Sequence, residues 1–247
     1  MLIPIALQLY SIKEETAKDF AGALEAVSKM GYDGVEFAGY GGLSAEEMKA
    51  LLGRLGLKAA GSHVNFGPLR ENLKGEIAYN KAIGNQYIIC PYAAAETKEE
   101  WIALAGELAG YSKRVREEGL VLGFHNHARE FVEYDGKFIM DILLEQCDEM
   151  ICELDTYWTE YAGVDTLAYL EKLGSRCKLV HLKDMCVKED GSRSSCTYGE
   201  GVLNNKAIVA AALKNDPDWL VIEWEAFEGN CLDAVDQSLQ NLRGLLK

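Results

Sequence analysis

Histidine is scarce in this chain. The four present, His63, His125, His127 and His181, each fall at or just after the end of a short apolar run. The densest case is the stretch LVLGFHNHAREFV, residues 120–132, where His125 and His127 close the run and Glu130 follows. Other runs carry acids at the same point: Glu36, Glu153 with Asp155, Asp184, and Glu223 with Glu225. Taken singly, each histidine reads as an ordinary structural residue. Taken together, at the ends of successive runs that also carry carboxylates, they read as a site. Charges brought into a buried rim need partners or a metal, and mixed imidazole and carboxylate groups are ligands for a divalent cation.

Such a rim needs elements that end on one side. A short apolar run followed by an amphipathic charged stretch recurs eight times. IPIALQLYS precedes a helical pattern from about Thr16 to Met30. GVEFAG precedes SAEEMKALLGRLG, in which Ser44 and Glu47 form a capping box. KAAGSHV precedes a helix near Asn72 to Gly84, and YIICPY one from about Thr97 to Glu118. LVLGFHN precedes a helix near Gly136 to Cys147, and MICELDT precedes VDTLAYLEKLG. CKLVHLKD precedes an irregular stretch and then NNKAIVAAALKN. WLVIEWE precedes a final helix from about Cys231 to Leu246. The runs show little polar alternation, as strands buried on both faces should. Glycines close helices ahead of the next run in KMGYDGVEF, RLGLKAA and EEGLVLG. Eight β-then-α units in a chain of 247 residues predict an α/β fold, a single (β/α)8 TIM barrel spanning residues 1–247. A doubly wound open sheet is the alternative, weakened by the lack of GxGxxG after the first strand. Active sites of such barrels form at the C-terminal strand ends, where the histidines and acids fall. The long insertion Met185 to Leu203 reads as an active-site loop.

Apolar residues make up 49% and charged residues 26%, enough for a sizeable core. The net charge of −14 repels phosphate backbones, so nucleic acid is not an expected partner. Seven scattered cysteines without a CxxC pair read as reduced thiols, Cys90, Cys152 and Cys177 as buried ones, and place the chain in the cytoplasm. The stretch MLIPIALQLYSIKEE lacks the basic region and cleavage site of a signal peptide. No apolar run reaches the ~18 residues of a membrane span.

Several stretches converge in order: LGFHNHAREF, ELDTYWTEYAGVD, VHLKDM, YGEGVLN and WLVIEWE, with IALQLYSIKEE and GYDGVEFAGYGG ahead of them. Together they resemble the sugar phosphate isomerase/epimerase superfamily, the xylose-isomerase-like barrels, in the branch with a Tyr/Phe-His-Asn-His-x-x-Glu-Phe motif. The resemblance covers nearly the whole chain. It implies a divalent cation, Mn, Mg, Co or Zn, held by Glu130, Asp155, His181 and Glu223. In related epimerases the acid of the fifth strand lies inside the strand, where this chain has Gly123. Glu130 lies past the strand end, and His125 or His127 is the alternative fourth ligand.

The chemistry so implied is isomerisation or epimerisation beside a sugar carbonyl. A proton leaves carbon, a metal stabilises the enediolate as a Lewis acid, and Glu130 and Glu223 take and return the proton. His63, His125, His127 and Lys183 would hold hydroxyls or move protons, and Trp158 and Tyr157 would stack on the sugar. Glu36 and Glu153 read equally well as structural acids. Glu225 reads as a supporting acid, with a catalytic acid as the alternative, Glu200 as the residue that orders the long loop, and AGYGG as a loop-to-helix turn. The expected partner is a small carbohydrate, with no nucleic acid and no membrane; homo-oligomerisation is left open. The same enediolate can also lose a β-leaving group, so a lyase, hydrolase or dehydratase of a keto-sugar or keto-glycoside is the first alternative. A non-catalytic sugar-binding barrel is the second. An apurinic endonuclease, related by fold, would need a basic groove.

Overall fold

The computed structural model describes residues 3–226 and 229–247, so Met1 and Leu2 of the N-terminal stretch lie outside it. Eight parallel strands close into a barrel: β1 (Ile5–Gln8), β2 (Gly34–Phe37), β3 (Lys58–His63), β4 (Tyr87–Cys90), β5 (Val121–His125), β6 (Ile151–Asp155), β7 (Cys177–Leu182) and β8 (Trp219–Ile222). They pair in chain order, and β1 closes the ring by pairing with β8, Ile5 opposite Leu220.

Side chains alternate between the two faces of a strand, and that period builds two separate cores. Outward residues such as Leu7, Ile88, Leu122, Leu154, Val180 and Ile222 pack beneath the helices. Inward residues Ala6, Ala60, Tyr87, Ile89, Ile151, Leu179, Trp219 and Val221 fill the barrel. Two residues further along the same inward face the chemistry changes. Ala6 gives way to Gln8, Gly123 to His125, Ile151 to Glu153, Leu179 to His181, and Val221 to Glu223. The barrel therefore has an apolar floor and a polar mouth.

Gly123 belongs to the floor. A Cβ there would come within 2.5 Å of Ile89 Cδ1 and 2.9 Å of Ile151 Cδ1. Those isoleucines fill the space that a side chain at residue 123 would need, so the strand reaches His125 without an earlier inward group.

The helices follow local signals. α1 (Phe20–Met30) is separated from a short helix, Lys13–Lys18, by Asp19. Asp19 is extended and caps the Gly22 N–H at 2.9 Å, so the pattern expected from Thr16 onward divides in two. α2 (Ala45–Leu55) carries the expected capping box of Ser44 and Glu47 and ends at Gly56, whose φ is +68°. α3 (Phe66–Ile83) begins before Asn72, which is a kink inside it (φ −141°, ψ 35°). Pro68 sits in its first turn, where a missing N–H is tolerated. α4 (Lys98–Glu117), α5 (Ile139–Gln146), α6 (Thr166–Leu173), α7 (Asn205–Lys214) and α8 (Cys231–Leu245) complete the ring.

The long segment after β7 folds as an antiparallel hairpin, Asp184–Val187 against Arg193–Cys196. Buried Asp184 holds it. Its carboxylate accepts from the backbone N–H of Met185 (2.8 Å), Gly199 (2.9 Å), Gly201 (3.1 Å) and Leu203 (3.3 Å), and from Asn205 Nδ2 (2.5 Å). Glu200, expected to order this loop, is exposed; Asp184 does so instead because it lies at the loop's root. All seven cysteines are free thiols.

Candidate metal centre and substrate cavity

The polar mouth is a single connected cluster. His181 Nε2 lies 2.6 Å from Glu36 Oε2 and 3.3 Å from Glu153 Oε2, and its Nδ1 lies 3.3 Å from Glu223 Oε2. His63 Nε2 lies 2.7 Å from Glu153 Oε2 and 3.2 Å from Glu36 Oε2. His125 presents Nδ1 to Glu153 Oε2 at 3.1 Å and Nε2 to Asp155 Oδ2 at 4.0 Å. Lys183 Nζ, fully buried, lies 3.8 Å from Asp155 Oδ2 and 3.4 Å from Glu223 Oε2, and pairs closely with Glu225. Gln8 Nε2 donates to Glu36 Oε2 at 2.7 Å, and Gly61 leaves the room that the Glu36 carboxylate occupies.

Burial and charge oppose each other through this cluster. Burial disfavours a charge on His63, but Glu36 and Glu153 outweigh it and push its pKa up to about 10. The same contest, against Glu153 and Glu36, holds His181 well above the ordinary histidine range. His125 is held well below that range by burial and by His181 and His63. Burial and Lys183 lower His127 to about 4. Glu153 and Glu223 are held low because cationic neighbours overcome burial: His181 and His63 for Glu153, Lys183 and His181 for Glu223. Asp155 rises to about 6, chiefly by burial and despite Lys183.

Two overlapping groups of ligand atoms each lie within 4.8 Å of one another: His125, Asp155, His181 and Glu223, and His63, His125, Glu153 and His181. The first holds three of the four residues singled out as ligands, with His125 as the fourth. It passes a direct test of fit for a cation: Asp155 Oδ2 is buried and accepts no hydrogen bond. Two carboxylates and two imidazoles suit the divalent first-row metals.

Glu130 is not brought to these residues. It is buried in a 3-10 turn, Ala128–Phe131, where Oε2 accepts from the His127 backbone N–H at 2.8 Å and Oε1 lies 3.7 Å from Arg129 Nε. It belongs to neither ligand group.

A cavity of about 640 Å³ opens over the mouth, lined by His63, His125, His127, Glu223 and Glu225 and also by Tyr10, Tyr40, Glu76 and Tyr92. Trp158 is outside that lining. Its ring packs on His127 (5.3 Å between centroids) and Tyr157 (4.9 Å), and Lys183 Nζ sits 5.1 Å from its centroid. Lys183 too is outside the lining. Tyr40 and Glu76, linked by a 3.1 Å hydrogen bond, come from a loop and from α3 and carry no strand-end signal.

The fold and the mouth together define a parallel eight-stranded barrel with a histidine–carboxylate cluster at the C-terminal strand ends. The chain belongs to the family described as xylose isomerase-like TIM barrel, whose model matches residues 24–245. It is 30% identical over 146 residues to an inosose dehydratase of Clostridium perfringens; the match takes in 57% of this chain and 48% of that one. The chain thus spans about half the length of the curated relatives it matches. A sugar phosphate isomerase/epimerase from Parabacteroides distasonis superposes with a TM-score of 0.84 at 26% identity, covering 99% of this chain and 100% of that one. A second structure of that description and organism has a TM-score of 0.85 at 20% identity, covering 100% and 96%. Among the described residues no helix is long and apolar enough to cross a membrane.

Proposed function

We propose that the chain is a divalent-metal-dependent enzyme that moves a proton at the carbon beside a sugar carbonyl, as an isomerase or epimerase. One observation carries the reading: the ligand atoms of His125, Asp155, His181 and Glu223 converge within 4.8 Å at the barrel mouth, with His125 and Glu223 also lining the cavity. A cation bound there supplies Lewis acidity to the substrate's oxygens.

The protein groups have separable tasks in this reading. Glu36 faces Nε2 of His181 and leaves Nδ1 for the ligand group; Glu153 does the same for His125, facing Nδ1 and leaving Nε2 toward Asp155. Carboxylates of this kind fix the tautomer and ring angle of ligating histidines. Glu223 and Glu225 line the cavity from just beyond the end of β8. His127, neutral near pH 7 with a buried Nδ1 that lacks a partner, reaches it from the end of β5. That arrangement puts a proton acceptor and a second proton-handling group on separate strands. Lys183 neutralises Glu223 and Glu225 from beneath. His63 is placed to hold a hydroxyl, and Glu130 supports His127 from outside the cluster.

A dehydratase is the second reading, favoured by the curated relatives, which are named inosose dehydratases. The same carbon loses its proton, and hydroxide leaves the adjacent carbon as water. Incubating the metal-loaded chain with keto-sugars in D₂O tests both. Deuterium at the carbon beside the carbonyl supports proton transfer, and accompanying loss of water selects the dehydratase. No exchange across a broad ketose and inosose panel contradicts both.

A further inference from the structure

The cavity lining is acidic and aromatic. Glu76, Glu223 and Glu225 contribute carboxylates, Tyr10 and Tyr92 contribute rings, and among the described residues no lysine or arginine takes part. We infer that the substrate of this site is an uncharged sugar rather than a phosphate ester. The inference rests on the proposed function and adds the substrate's charge.

A sugar phosphate brings close to two negative charges at neutral pH and is held by arginine forks, lysine or converging backbone N–H groups. Each nearby cation is already engaged, His63 in the lining by Glu153 at 2.7 Å and Glu36 at 3.2 Å. Lys183 is enclosed by Asp155, Glu223 and Glu225. Arg129 donates to the Ala95 carbonyl at 3.1 Å and lies 5.0 Å from the Tyr92 ring and 5.2 Å from that of Trp101. Lys13 donates to the Tyr10 hydroxyl at 3.2 Å, with its Nζ 4.4 Å from that ring's centroid.

The backbone offers little more. The first turn of α3 borders the cavity at Asn65 and Pro68, but Pro68 has no N–H to give, and Glu76 of the same helix turns a carboxylate into the same space. The glycine-rich loop after β2, residues 38–42, leads into the Ser44 cap of α2, and the hydroxyl of its Tyr40 donates to Glu76 Oε2 at 3.1 Å. What remains suits hydroxyls and ring faces. Tyr10 and Tyr92, 40% and 48% exposed, present aromatic surface where the cavity opens. Glu76, His127 and Glu225 offer hydrogen-bond partners deeper in.

The test is calorimetric binding of matched pairs to the metal-loaded chain: ketopentoses and ketohexoses, each with its terminal phosphate ester, and inorganic phosphate as competitor. The neutral member should bind about tenfold or more tightly than its ester, because like charges face each other in the ester complex. Inorganic phosphate should not compete. An ester that binds as well as its parent overturns the inference, as does competition by phosphate or a panel in which no neutral sugar binds. Selective loss of ester binding in Lys13→Gln would also overturn it, by exposing a phosphate partner at the rim. Because binding is the readout, a chain that binds neutral sugars yet exchanges no proton contradicts the proposed function and leaves this inference standing.

Discussion

Nε2 of His181 lies 2.6 Å from Oε2 of Glu36, a contact that ties the seventh strand to the second across the barrel mouth. The other ring nitrogen, Nδ1, faces Glu223 at 3.3 Å. Glu36 thus sets which nitrogen His181 can offer. Removing such an orienting carboxylate typically costs about 10–100-fold in metal affinity. Glu36→Gln should therefore weaken metal binding by at least about tenfold in a chelator competition while the chain stays folded. Unchanged affinity would show that the contact is only structural.

Glu130 should behave as a buried cap with no part in metal binding. Burial raises its pKa from 4.5 to about 7. The native state thus binds this proton more tightly than the unfolded chain, so stability falls as pH rises through that window, and the penalty is complete above it. Glu130→Gln keeps an acceptor for the His127 N–H and removes the charge. It should raise stability at pH 8 by up to about 3 kcal/mol, little at pH 4, and leave bound metal unchanged. Denaturant melts at the two pH values, with elemental analysis, check both points. Loss of metal in this variant would return Glu130 to the ligand set.

Gly123 should tolerate no side chain while Ile89 is present. Gly123→Ala places a methyl 2.5 Å from Ile89 Cδ1 and should cost about 1–3 kcal/mol through overpacking. Ile89→Val deletes that Cδ1 atom, so the double variant should recover part of the loss. A double-mutant cycle measures the coupling; strict additivity would mean that the clash is relieved elsewhere.

Asp184→Ala strands the donors of Met185, Gly199, Gly201, Leu203 and Asn205 together. We expect a loss of about 3 kcal/mol or more, because several charge-assisted hydrogen bonds go at once. Cleavage between residues 186 and 202 should also become faster in limited proteolysis. An unchanged cleavage rate would mean that the hairpin holds itself.

The barrel was legible because its strands announce themselves as unbroken apolar runs and its helices carry their own caps, as at Ser44 and Thr97. The mouth was legible for a similar reason: inward parity places Gln8, His125, Glu153, His181 and Glu223 one step above apolar floor residues. Sequence position could not distinguish the tasks of groups at that rim. Glu36 and Glu153 carry the same strand-end signal as Asp155, and only the distances reveal them facing histidine nitrogens. Glu130 follows the histidines closely in sequence, but the turn after β5 directs its carboxylate back to the His127 N–H. Glu76 and Tyr40 reach the cavity from outside the strands, where no periodicity marks them. α3 starts ahead of the expected Asn72, with Pro68 in its first turn, where a missing N–H is tolerated, and the kink at Asn72 divides it.

His125, Asp155, His181 and Glu223 are the four residues proposed to hold a divalent cation. Metal stoichiometry of the purified chain, by elemental analysis beside His181→Ala and Glu223→Gln, tests that assignment most directly. Close to one equivalent of metal per chain is expected, largely lost in both variants while each keeps its native circular dichroism. Full metal content in both folded variants would contradict it.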